Sequence, residues 1–239
     1  VEIMAGRGSF IESFPLFGYN LQDYEELFEE KIELLLKINQ NEKINWKGQL
    51  RPSIDNKGVY PRAYQKQIPV WLAAGGTPAS AVRAAKYNLP LMLAIIGGRP
   101  EQFVPFINLY KEACQKFERK KEAIQIGINN HFYVSEDSQT AADEFYPYYA
   151  VMMDRVGKDR GWQPFTREQF EYVRQPKGAL MVGSVQQIID KILYEHELFG
   201  FTRFVAQASV GFVPHEKVMK SIELFGTKVV PVIRKALNQ

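Results

Sequence analysis

Apolar residues follow two patterns along the chain: short continuous runs, and longer stretches in which they recur every three or four positions. The continuous runs predict strands, whereas the three-to-four spacing predicts amphipathic helices. Five main strands are predicted, at 1–5, 70–74, 91–96, 123–134 and 201–208. Helices are predicted at 22–39, 78–87, 100–117, 185–199, 214–225 and 229–237. Strands that alternate with helices predict an α/β fold with parallel strands and right-handed crossovers.

Three further segments interrupt this alternation. Residues 42–64 are broken by Gly, Pro and Asn, which favours an excursion of short strands and turns. Residues 138–174 are helical in pattern, with a break at 157–164. A short apolar segment follows at 178–183, and Ser184 is expected to cap the next helix because serine is a preferred N-cap residue.

The number of strands limits the architecture. Alternating strands and helices form either a closed barrel or a doubly wound sheet. A (β/α)8 barrel has eight strands and about 250 residues, whereas this chain has five main strands and begins with strand-like sequence at Val1. We therefore expect one domain over residues 1–239, the C-terminal part of a barrel that is incomplete in this chain.

Composition narrows the class of partner and the compartment. The 239 residues are 46% hydrophobic and 24% charged, with a net charge of +3 that is not concentrated in any block, so nucleic acid is not indicated. The longest apolar stretch, 89–98, is too short to span a bilayer. Cys114 is the single cysteine, which fits a reducing, cytoplasmic compartment. The three histidines show no metal-ligand spacing, and no metal site is expected.

The segment with the clearest chemical meaning is the junction between the strand at 70–74 and the helix at 78–87. Gly75 and Gly76 permit close approach of a ligand to the backbone. Thr77 suits the N-cap position, and Pro78 suits the first helical position. The free amides at such a helix start form an anion site. The alternative interpretation is a well-capped turn that binds nothing.

Four segments together resemble the bacterial luciferase-like monooxygenases, which are flavin-dependent enzymes built on a TIM barrel: AGRGSFIESFPLFGY at 5–19, PVWLAAGGTPASAVRAA at 69–85, LPLMLAIIGG at 89–98 and IELFGTKVVPVIR at 222–234. The resemblance is to the branch that binds FMN or the deazaflavin F420. It implies a TIM (β/α)8-type barrel of which this chain contains the C-terminal strands four to eight.

The resemblance also assigns cofactor-binding residues. Arg7 matches the family's arginine that reaches toward the flavin phosphate, and the phosphate-binding turn is matched by Gly75, Gly76, Thr77 and Ser80. A guanidinium together with helix N-terminal amides suits a phosphate dianion. The alternative for Arg7 is a salt bridge to a neighbouring acid such as Glu12.

Residues at the ends of the other strands are expected to complete the pocket, because barrel active sites occupy the C-terminal ends of the strands. Ile96 and Gly97, with Ile95, end one strand, and Asn129 to His131 lie on another. The catalytic residues are unknown, since no residue reads as an obligatory acid or base; His131 and Glu12 are the candidates. The alternative for His131 is a hydrogen-bonded core histidine. Phe10, Phe14 and Phe17 are candidate walls of a ring-binding cleft.

The function implied by the resemblance is that of a flavin-dependent oxidoreductase or monooxygenase. It would use reduced FMN and O2, or hydride transfer with F420, on a small organic substrate. A separate flavin reductase and a homodimer are the implied partners. Two alternatives remain: a non-catalytic flavin-binding or structural partner protein of the same fold, and a sugar-phosphate barrel, which would normally carry charged residues at its strand ends.

Overall fold

The structure is a computed structural model that describes residues 1–8, 11–158 and 160–238. The chain divides into two compact units, Val1–Ala74 and Gly75–Gln239, and each is described by itself. The expectation of one domain over 1–239 stays a prediction.

The first unit contains two pairs of strands and one long helix. Its elements are β1 Ile3–Ala5, α1 Ser13–Leu16, a 3-10 turn Leu21–Asp23, α2 Tyr24–Gln40, β2 Lys43–Trp46, β3 Ile54–Gly58 and β4 Val70–Ala74. β1 and β4 are parallel, with Ile3 opposite Val70 and Ala5 opposite Leu72. β2 and β3 form an antiparallel pair, as the broken pattern at 42–64 predicts.

The helix α2 is fixed to the chain before β4 by one side chain. Asn39 Nδ2 donates to the carbonyl of Ile68 at 2.7 Å, and Asn39 Oδ1 accepts from the amide of Ile68 at 2.9 Å. Leu27 and Ile32 form the buried face of α2. The C-terminal end of α2 is thereby held beside the entry to β4.

The second unit alternates strands and helices. Its elements are α3 Pro78–Lys86, β5 Leu91–Ala94, a 3-10 turn Pro100–Phe103, α4 Val104–Lys116, a 3-10 turn Lys121–Ala123, β6 Ile126–Ser135, α5 Ser138–Lys158, α6 Arg167–Val173, β7 Met181–Ser184, α7 Val185–Phe199, β8 Arg203–Gln207, α8 His215–Leu224, a π-helical turn Phe225–Val229 and α9 Val230–Ala236. β6 is the central strand, and β5, β7 and β8 all pair with it in parallel. The α/β class with parallel strands is confirmed.

The predicted count of five main strands is one too low, because six described strands take part in parallel pairs. The additional strand is β7, which the sequence shows only as a short apolar segment. β6 runs on to Ser135, and its last four residues pair with β7, from Phe132 opposite Met181 to Ser135 opposite Ser184.

The core around β6 and β7 is rich in aromatic rings. Phe145 on α5 stacks on Tyr133 at 5.4 Å and on Tyr149 at 5.3 Å between ring centroids. Phe170 on α6 packs against the same cluster. Cys114 is also buried, on α4. No helix in the described part of the chain is long and apolar enough to cross a membrane.

Candidate functional site

The glycine turn has the geometry that its sequence predicts. Gly76 has φ +106°, a conformation that residues with a side chain rarely adopt, and a Cβ there would also lie 3.2 Å from the ring of Phe103. Thr77 occupies the N-cap position of α3 with extended backbone, and Pro78 takes the first helical position. Gly75 and Thr77 are exposed, so an anion has access to the amides of the turn.

Two details bear on which groups of this turn can bind an anion. The side chain of Thr77 makes no capping hydrogen bond to α3. The amide of Ser80 donates to the carbonyl of Thr77 at 2.8 Å, and Ser80 is only 3% exposed. The predicted phosphate contact of Ser80 therefore stays a prediction, and the exposed residues of the turn are the better placed donors.

In the first unit, Arg7 follows the end of β1. Its guanidinium forms an ion pair with the carboxylate of Glu25 and lies 4.8 Å from the centroid of the Tyr24 ring. The acid beside Arg7 is thus Glu25, in the first turn of α2, rather than the suggested Glu12. Glu12 itself is exposed at the start of α1. The correction has a simple cause, since α2 returns its first turn to the end of β1 and the sequence alone does not give that distance.

Arg7 borders a cavity of about 250 Å³ that lies wholly within the first unit. The other lining residues are mainly apolar: Ala5, Gly6, Phe14, Tyr24, Leu27, Phe28, Lys31, Ile32 and Leu35. Phe14 is buried and Phe17 is exposed, while Phe10, the third suggested cleft aromatic, lies outside the described residues. The cavity combines an apolar lining with two cations at its boundary.

In the second unit, the residues after β5 differ in their accessibility. Ile95 is fully buried, and its amide donates to Asn129 at 2.8 Å. Ile96 is 49% exposed and is followed by the exposed Gly97. Ile96 and Gly97 are therefore accessible to a ligand, and their role in cofactor binding stays a prediction.

His131 has the contacts of a packed histidine. Its Nδ1 lies 3.3 Å from the hydroxyl of Tyr149, and the two rings meet edge to face at 5.6 Å. Burial lowers the pKa of His131 to about 4, so the ring is neutral at pH 7. These contacts favour the core interpretation over a substrate contact. Its neighbour Asn130 points to the opposite face of β6, as alternation along a strand requires.

Asn130 belongs to a buried polar cluster that was not predicted from the sequence. The side chains of Asn130, Glu195 and Lys191 are 0%, 1% and 3% exposed. Asn130 Nδ2 donates to Glu195 Oε1 at 3.1 Å and to the carbonyl of Ala179 at 3.1 Å. Among the described residues, Asn130 Oδ1 and Glu195 Oε2 have no hydrogen-bond partner.

The ammonium of Lys191 uses its three donors on three carbonyls. They belong to Arg174, Gln175 and Leu180, at 3.3, 2.7 and 2.8 Å. Burial lowers the pKa of Lys191 to about 7, and burial raises the pKa of Glu195 to about 8. A signal was present in the sequence, because Lys191 and Glu195 fall on the apolar face of α7.

Comparison with known proteins shows which family model this chain matches. The family model described as "Luciferase-like monooxygenase" matches residues 1–203. The chain is 21% identical over 250 residues to "Uncharacterized protein y4vJ" of Sinorhizobium fredii (strain NBRC 101917 / NGR234), covering 100% of this chain and 70% of that protein.

Solved structures show the same fold. Monooxygenase RslO1 from Streptomyces bottropensis matches with a TM-score of 0.77 and 21% identity, over 97% of this chain and 68% of that one. An F420-dependent secondary alcohol dehydrogenase in complex with an F420-acetone adduct matches with a TM-score of 0.74 and 15% identity, over 98% of this chain and 70% of that one. The oxygenating constituent of 3,6-diketocamphane monooxygenase from Pseudomonas putida, in complex with FMN, matches with a TM-score of 0.68 and 14% identity, over 96% of this chain and 71% of that one.

Proposed function

Because this chain belongs to the luciferase-like monooxygenase family, we propose that it is a flavin-dependent oxidoreductase or monooxygenase that acts on a small organic substrate. FMN is the proposed cofactor, with F420 as the alternative, since proteins of similar fold are described with each of them. Reduced FMN with O2 supplies oxygenating chemistry, and F420 supplies hydride transfer. The finer architecture, the C-terminal strands four to eight of a TIM-type barrel, is part of the same proposal.

The glycine turn at the start of α3 is the observation that carries this proposal. Its backbone at Gly76 is left-handed, and the exposed residues Gly75 and Thr77 precede a nine-residue helix with a partial positive charge at its N-terminus. A phosphate monoester fits such a site. In the first unit, Arg7 supplies the guanidinium that the family pattern requires, beside an apolar cavity. The residues present therefore fit the phosphate of FMN or the phosphodiester of F420.

The roles of the chain's own residues follow from these placements. Within the second unit, the turn binds the phosphate, and the exposed side chain of Ile96 with Gly97 offers an apolar surface to the ring system. Within the first unit, Arg7 keeps the phosphate-binding role that the family resemblance implies. His131 is a neutral hydrogen-bonding group whose position is fixed by Tyr149. The work of the protein is thus to position the cofactor and to keep water away from it.

Replacing Arg7 tests this assignment. Arg7→Ala should weaken FMN binding by about 1.5–3 kcal/mol, the scale of a hydrogen bond to a charged group. Riboflavin, which lacks the phosphate, should lose much less. Affinities are measured by quenching of flavin fluorescence, with Arg51→Ala as the matched control arginine in the same unit. Equal losses for FMN and riboflavin would refute the phosphate role, and binding of neither flavin by the wild type would refute the cofactor.

The family membership extends the proposal to partners. We propose a homodimer and delivery of reduced flavin by a separate reductase. Sedimentation equilibrium of the purified chain tests the first part, and a monomer at micromolar concentration would contradict it.

A further inference from the structure

A second cavity, of about 320 Å³, lies within the second unit between the segment after β5 and the segment that joins α6 to β7. It is lined by Arg99, Tyr172, Gln175, Pro176, Lys177 and Gly178. Two of these six residues are cations, and none is acidic. A concave site with two cations and an aromatic ring has the composition of a site for an organic anion.

Each of the two cations contacts a neighbouring side chain: Arg99 contacts Glu101, and Lys177 contacts Tyr194. Arg99 donates to Glu101 Oε1 at 3.1 Å, and both side chains of this pair remain partly exposed. The hydroxyl of Tyr194 is the main influence that lowers the pKa of Glu101, to about 2. The ammonium of Lys177 lies 5.6 Å from the centroid of the Tyr194 ring. A guanidinium has five donors, so one ion pair leaves donors for a ligand.

The wall of the cavity formed by the segment 174–180 is held in place by interior contacts, one of which comes from Lys191 of the buried cluster. Lys191 holds the carbonyl of Gln175, and the amide of Ala179 donates to the carbonyl of Gly98 at 3.2 Å. Gly178 is packed so closely that a Cβ there would overlap the carbonyl of Val173. The segment 174–180 is thus ordered before a ligand arrives, which lowers the entropic cost of binding.

We propose that this cavity binds the phosphate or carboxylate group of a small organic molecule, with Arg99 and Lys177 as the anion-binding residues. Arg99 offers a planar fork of donors to two oxygen atoms, and Lys177 adds a point charge. The exposed ring of Tyr172 provides an apolar contact for the organic part of the ligand. Binding of the anion at this cavity depends neither on a cofactor nor on the proposed function.

The test is isothermal titration calorimetry with three probes: phenyl phosphate, benzoate and inorganic phosphate. We expect saturable binding of phenyl phosphate or benzoate that Arg99→Gln and Lys177→Gln each weaken about tenfold or more, as the loss of a charge-assisted hydrogen bond requires. Arg99→Lys should weaken it less, since it keeps the charge. Lys121→Gln, on a separate 3-10 turn, is the matched control and should change nothing.

The probes also distinguish the sources of the anion. Tighter binding of phenyl phosphate than of inorganic phosphate supports an organic phosphate, and tighter binding of benzoate supports a carboxylate. Inorganic phosphate that binds as tightly as both organic probes would overturn the organic ligand. Absence of saturable binding, or wild-type affinity in both glutamine variants with unchanged circular dichroism, would overturn the site. The two glutamine variants are also titrated with FMN, and a loss of phenyl phosphate or benzoate affinity without a loss of FMN affinity separates this site from the cofactor proposal.

Discussion

Glu195 offers a sharp test of how the buried cluster is protonated. Its ordinary pKa of 4.5 is raised to about 8, first of all by burial, and the hydrogen bond from Asn130 and the charge of Lys191 oppose the rise only in part. The carboxyl is therefore mainly protonated and neutral in the folded protein at pH 7. The charge of Arg174 also acts on Lys191 and lowers its pKa.

The sign of the pH dependence follows from proton binding. Between about pH 4.5 and pH 8 the unfolded carboxyl is ionised while the folded one holds its proton, so the folded state binds more protons. The contribution of Glu195 to stability then falls as pH rises through this window, by at most about 1.4 kcal/mol per pH unit. From pH 4.5 to pH 7 the loss is on the order of 2–3 kcal/mol.

Glu195→Gln should remove this loss. A glutamine keeps an acceptor for Asn130 Nδ2 and places an amide group at the position of Glu195 Oε2, which has no partner in the described part of the chain; its shape is close to that of the protonated acid. We expect the variant to match the wild type near pH 4.5 and to be more stable by about 1–3 kcal/mol at pH 7. Urea denaturation at several pH values, followed by tryptophan fluorescence, measures the difference.

The matched control is Glu197→Gln, because Glu197 is on the same helix but exposed, and this change should leave stability within about 0.5 kcal/mol. The opposite result is equally well defined. If Glu195 were ionised and paired with Lys191, the glutamine would break a buried ion pair and destabilise the protein at pH 7 by about 3 kcal/mol or more. That outcome would refute the protonated state.

Two further predictions concern the same region of α7. Lys191→Met keeps the aliphatic stem but removes three donors. We expect the free energy of unfolding, measured by urea denaturation, to fall by about 2–3 kcal/mol, because the Leu180 carbonyl is buried while those of Arg174 and Gln175 are part-buried. Unchanged stability would contradict the role of the ammonium. Ser184→Ala should cost about 1 kcal/mol, since it removes the capping box with Gln187, and Ser184→Thr, which keeps the hydroxyl, should retain most of the stability.

The sequence predicts the regular elements well where local signals are strong. The predicted helix 22–39 is α2 Tyr24–Gln40, and the helix that Ser184 was expected to cap begins at Val185 and ends at Phe199, with Ser184 Oγ accepting from Gln187. Periodicity and caps are local properties, so they can be identified without the fold. β7 was missed as a strand because its pairing with the end of β6 is a distant contact.

The candidate site likewise has features that are local in the sequence and features that depend on distant contacts. The left-handed glycine and the helix start at Thr77 and Pro78 are local, and the sequence predicts both. The partners of buried polar side chains are not local. Lys191 binds carbonyl groups, which every residue has, and Asn130 meets Glu195 across 65 positions of the chain. No pattern of residue types specifies such contacts.

The ion pair between Arg7 and Glu25 sets the conditions under which Arg7 can bind a phosphate. The two side chains are 17% and 51% exposed, and a pair that is open to solvent on one partner contributes about 0–1 kcal/mol. A phosphate that takes the place of the carboxylate gains charge-assisted hydrogen bonds of about 1.5–3 kcal/mol with the same guanidinium. In the absence of a phosphate, Glu25 and the ring of Tyr24 keep the guanidinium beside its cavity. The carboxylate thus holds Arg7 in place for an anion without competing strongly against it.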